Sequence, residues 1–173
     1  MTIVSAKLKL SVEVQEYIDP IIETVVGPTV PHTLDGSPVN SSGTLVDLTP
    51  STTPPVTKVW SDRRTLGGTT ETLDLTSLTG FAGLAVDLTG LKIVGIYIKA
   101  ADANNAAGLQ VEPGSSNGLN VFGTSGLVIV PPGGCEGSYK KAGGPTVGSG
   151  AKTVKVTGTA ADVYTIVILA GTA

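Results

Sequence analysis

The chain has 173 residues, of which 40% are hydrophobic and only 14% charged, with a net charge of −3. A single cysteine, Cys135, and a single histidine, His32, exclude an internal disulfide, a cysteine-clamped zinc site and a multi-histidine metal cluster. The balance is −5 over residues 1–90 and +2 over 91–173, with no basic stripe on which phosphate-driven nucleic-acid binding could run.

Alternation opens the chain. In AKLKLSVEV, Leu8, Leu10, Val12 and Val14 face one way and Lys7, Lys9, Ser11 and Glu13 the other, the period of two expected of a half-buried strand. This stretch lacks the uninterrupted apolar segment of a secretory signal, so the expectation is a product of the cytoplasm that does not take the general export route. No apolar run reaches the ~18 residues of a membrane span. IIETVV (21–26) predicts a second strand. Residues 27–55, GPTVPHTLDGSPVNSSGTLVDLTPSTTPP, predict a long irregular proline-rich loop or interaction arm, within which TLVDL is suited to pair with an edge.

VTKVWSD (56–62) reads as a strand carrying the only tryptophan, Trp60, and TETLDLTSL (70–78) alternates through Leu73, Leu75 and Leu78. LKIVGIYIK (91–99) is apolar on both faces and predicts a central strand. AADANNAAG (100–108) is the best helix candidate, yet its adjacent asparagines suit a turn better. GLQVEP, GLNVFG, GLVIVPP, SYKK, KTVKVTG and VYTIVILAG follow as short strands separated by Gly, Asn and Pro. The last is uncharged, rich in β-branched residues and free of proline. Exposed, it would aggregate, so it predicts a central strand or one covered by a partner. The pattern as a whole predicts one all-β domain over residues 1–173, an antiparallel β-sandwich.

GGPTVGSGAKT (143–153) resembles a phosphate-binding loop at first sight. Its lysine is one position late, because Ala151 separates Gly150 from Lys152, and Pro145 stands where the first glycine belongs. A strand pattern follows it where a helix is required. It predicts a hairpin connection and no nucleotide site.

Other constellations are weak. SDRRTL concentrates Asp62, Arg63 and Arg64, whose forks suit an intersubunit ion pair or an anion, or a solvated strand end. These three, with His32 and Trp60, are the candidate subunit-interface residues. Trp60 with Tyr139 could form a sugar-stacking platform, against the commoner reading of buried rings. Asp87, Asp102 and Glu112 lack calcium-loop spacing, Cys135 lies in no nucleophile motif, and no carboxylate pair is singled out for catalysis. No catalytic residue, cofactor or metal is predicted.

KVWSDRRTL, LDLTSLTG, LKIVGIYIKAADANNAAGLQVEPGSSNGL, GLVIVPPGG and KTVKVTGTAADVYTIVILAGTA together resemble a group of small virion proteins of tailed bacteriophages, of the head-decoration or head-fibre-base type. The likeness covers roughly residues 56–173. It implies a jelly-roll-type sandwich that is a structural component of the virion, without catalysis. The partners it implies are other virion proteins, above all the major capsid protein, and further copies of the chain, with no nucleic acid and no membrane. Only Lys7 and Lys9 precede the acids Glu13, Glu16, Asp19 and Glu23. An outward, cementing position is therefore expected over an inward genome contact. The alternative expectation is a glycan-binding sandwich of a tail or fibre.

Overall fold

The computed structural model describes residues 7–8, 13–17, 29–33, 46–47, 53–80, 83, 85–123 and 126–172. The chain forms two compact units, Ser5–Ser51 and Thr52–Ala173, the latter joined by Met1–Val4. Among the described residues the secondary structure is strand, with antiparallel sheets and no α-helix.

In the Ser5–Ser51 unit, β1 (Lys7–Leu8) pairs with β4 (Val46–Asp47), and β2 (Glu13–Tyr17) with β3 (Thr29–Thr33). The predicted pairing of TLVDL is therefore found at Val46–Asp47. Thr29–Thr33 departs from expectation, being a strand inside the segment read as irregular. Pro31 argues locally against a strand. A proline cannot donate to a ladder, but among the described residues β3 pairs with β2 alone, and on such an edge that loss is tolerated. The strand predicted over 21–26 and most of the 27–55 excursion lie outside the described residues.

The Thr52–Ala173 unit contains eight main strands: β5 (Val56–Thr65), β6 (Thr70–Asp74), β9 (Leu91–Ala100), β10 (Leu109–Pro113), β11 (Val128–Val130), β12 (Cys135–Tyr139), β13 (Thr153–Thr157) and β14 (Val163–Thr172). They form sheet I, in the order β12-β9-β14-β5, and sheet II, in the order β11-β10-β13-β6. A short ribbon of β7 (Leu78–Thr79) and β8 (Ala85–Val86) is inserted before β9.

Amphipathic pattern explains the positions. β9 and β14 are apolar on both faces, and they occupy the two central places of sheet I. The aggregation-prone final strand is thereby paired along both edges, by β9 on one side and β5 on the other. Val94 is an extra residue in β9 where the register shifts between Leu169 and Ala170, a bulge that also sharpens the local twist. Trp60, Ile96, Ile98, Tyr164, Ile166 and Ile168 of sheet I join Leu73, Leu109, Val111, Val154 and Val156 of sheet II in one hydrophobic cluster. Each such side chain contributes about 1.5–3 kcal/mol on burial.

Two expectations change in detail. The run 70–78 is not one strand, because the Asp74 carboxylate accepts from the amide and hydroxyl of Thr76 and bends the chain. Leu75 and Leu78 still reach the core from that turn. The 143–153 loop is indeed followed by a strand, but it joins β12 in sheet I to β13 in sheet II and so is a crossover between sheets. Its hairpin character is confined to the tight turn closed by Gly148 and Ala151.

Candidate functional site

The SDRR segment lies along β5, where successive residues point to opposite faces. Asp62 and Arg64 share the face of Trp60, and Arg63 takes the other. Arg64 Nε and Nη2 donate to Glu71 Oε1 at 2.8 and 2.5 Å, and Nη1 donates to Asp62 Oδ2 at 2.8 Å. Tyr164 Oη donates to the second Glu71 oxygen at 2.6 Å. Arg64 and Tyr164 are register partners in sheet I, whereas Glu71 lies on β6 of sheet II. The four side chains clasp the two sheets together near one rim.

The clasp polarises its members. Burial raises the Glu71 carboxyl, but the hydrogen bonds from Arg64 and Tyr164 outweigh it and hold it below its ordinary 4.5. The hydrogen bond to Glu71 raises Arg64, burial opposing it. Burial, followed by Glu71, raises the Tyr164 phenol well above its usual range. Asp62 and Arg64, expected as interface residues, are thus engaged within their own chain.

Trp60 is 1% exposed, and its Nε1 donates to the Thr79 carbonyl at 2.9 Å. It tethers the β7 ribbon to β5 and presents no surface to a subunit or a sugar. Tyr139 is on β12, the opposite edge of sheet I, so three interstrand spacings, about 14 Å, separate the two strands. The platform conceived for this pair does not form. His32 belongs to the Ser5–Ser51 unit, on β3 opposite Val14, where a loop position was expected.

The acids considered for calcium are dispersed. Asp87 accepts from Thr89 and Glu112 pairs with Lys155 at 2.7 Å. Asp102 lies against Gly133. Among the described residues no three candidate ligands cluster for a metal. Lys152, the lysine of the glycine-rich loop, pairs with Asp74 at 2.6 Å. That contact, with the hydrogen bonds from Thr76, holds the Asp74 carboxyl down at about 2.

Two surfaces were not anticipated residue by residue. On the outer face of sheet I, Arg63 and Lys99 flank Thr165, their register partner on both sides, and the three line a pocket of about 220 Å³ with Asp102 on its wall. On sheet II, β11 is an edge strand, paired among the described residues with β10 alone. There Ile129 is 55% exposed and the adjoining Leu127 47%. Hydropathy pattern hinted at the second. For the first, Arg63 was already a candidate anion contact, but nothing local pointed to Lys99, which register alone brings across Thr165 from it.

Three of the motifs behind the resemblance are turns. Asn117 of SSNG takes a left-handed φ of 51°, and its carbonyl accepts from the amides of Lys152 and Thr153. Gly133 of PPGG has φ 71°, in a turn closed by Gly134 N–H donating to Pro131. Asn104 of the Asn-rich turn pairs through its side-chain amide with both backbone groups of Val163, acting as a substitute strand partner at the start of β14. Comparison with family models, curated proteins and solved structures found no match.

Proposed function

We propose that the chain is a non-enzymatic structural protein of a tailed-bacteriophage virion, attached to the capsid as a decoration subunit or head-fibre base. In this reading sheets I and II are the layers of a jelly-roll-type β-sandwich. The sandwich is a stiff tile that adheres to the major capsid protein and to copies of itself. The observation that carries the proposal is the β11 edge. Its stretch LVIVPP holds no charged residue, its backbone pairs among the described residues with β10 alone, and Leu127 and Ile129 are exposed along it. Soluble monomers blunt such an edge with charge, proline or short length. β11 spans only Val128–Val130 and runs into Pro131 and Pro132, so the exposed apolar side chains, more than the backbone, are what a partner would cover. The low overall charge and the polar clasp bridging the sheets support the same reading, since a tile under load must not shear.

Sedimentation velocity over a concentration series, with and without capsids of the parent particle, tests it. Self-association or co-sedimentation is expected, and Ile129→Lys should suppress it. A chain that stays monomeric and ignores capsids would count against the proposal, as would association indifferent to Ile129→Lys.

A further inference from the structure

We propose that the pocket between Arg63 and Lys99 is a carboxylate-binding site, and that its ligand is a single acidic group such as the side chain of Asp or Glu. The pocket stands apart from the virion reading. Arg63, Thr165 and Lys99 are consecutive register partners on β5, β14 and β9, so all three side chains emerge from the same face of sheet I. The outer two strands lie about 10 Å apart across the central one. Long cationic side chains rooted at that separation can converge over the small Thr165 between them.

Neither cation has an acidic partner among the described residues, although Arg64, Lys152 and Lys155 all do. Two like charges side by side repel, and an anion between them removes that cost. The arginine fork fits the two oxygens of a carboxylate, and the threonine hydroxyl and the ammonium supply further donors.

The size and charge of the pocket choose among anions. A volume of about 220 Å³ is below the range of cofactor-sized pockets and suits one small group. Asp102 also lines it, with its carboxylate directed against Gly133 and in no ion pair with Arg63 or Lys99. Two cations and one carboxylate leave a net +1, which matches a monoanion better than a doubly charged phosphate. Asp102 thus acts as a selectivity element that weakens phosphate more than carboxylate.

The test is a titration of the full chain with acetate and, separately, with inorganic phosphate, at constant ionic strength and followed by amide NMR. Acetate should shift the amides of Thr165, Lys99 and Ala101 with an affinity of about millimolar order. Arg63→Gln or Lys99→Gln should weaken it by about fivefold, and the double variant should abolish it. Asp102→Asn should tighten phosphate by a larger factor than acetate, a gain that no folding defect can imitate. Absence of acetate shifts, shifts unchanged in the folded double variant, phosphate binding without acetate binding, or no preferential gain in Asp102→Asn would each overturn the proposal.

Discussion

Glu71→Ala removes the one residue through which sheet II holds the Arg64 clasp. Tyr164 is 1% exposed, and its hydroxyl loses its acceptor, while among the described residues Arg64 retains only Asp62. A buried polar group left unpaired costs about 1–3 kcal/mol, and hydrogen bonds to charged groups are worth about 1.5–3. Arg64 and Glu71 side chains remain 30% and 23% exposed, so solvent screens part of this. A loss of about 2 kcal/mol is expected, equivalent to about 4–8 °C in Tm for a chain of this size. Trp60 is the sole tryptophan and is buried in the same core, so its fluorescence reports on this unit during thermal or urea unfolding. Glu71→Gln, which keeps an acceptor and loses the charge, should cost about half as much.

The pH dependence has a definite sign. The Glu71 carboxyl is depressed in the folded state, so its stabilisation is fully present above about 4.5 and is lost as pH falls through the lowered value. The wild-type stability curve should fall in that acid range, and Glu71→Gln should flatten it. A change below about 0.5 kcal/mol in Glu71→Ala would refute the clasp. So would a double-mutant cycle with Arg64→Met showing no coupling.

Two further predictions concern single residues. Ala161 is exposed at φ 74°, a left-handed conformation costing an L-residue about 1–2 kcal/mol. Ala161→Gly should therefore stabilise by about 0.5–1 kcal/mol after the entropy of the freer unfolded chain is counted, and a fall in Tm would contradict it. Asp162 is 5% exposed and accepts from the amides of Asn105 and Thr159. Asp162→Ala should lower the urea midpoint by the equivalent of about 2 kcal/mol with an unchanged slope; an unshifted midpoint would show those contacts to be idle.

The elements that could be read in advance were those whose pattern is local. β9 announced itself by apolar residues on both faces, β14 by an uncharged, β-branched run free of proline, and β5 as a strand up to Asp62 carrying the only tryptophan. The missed elements each had a short-range signal overridden by context. Pro31 masked β3, where an unfilled edge removed its penalty. Asp74 broke the run of leucines by capping Thr76, while Leu75 and Leu78 still found the core. Among the candidate site residues, Asp62 and Arg64 were expected at a subunit interface or a solvated strand end, and both are instead engaged within the chain. The partner, Glu71, comes from the other sheet, and no spacing rule connects them.

Composition and period-two alternation by themselves pointed to an all-β antiparallel chain whose last apolar run had to be central or covered, because side-chain direction along a strand depends only on neighbours in sequence. Register, sheet membership and the partners of charged groups were decided by tertiary structure. Those depend on how strands distant in the chain align to bury one common core. The same alignment buried Trp60, spent Arg64 inside the fold, and left Arg63 facing outward beside Lys99.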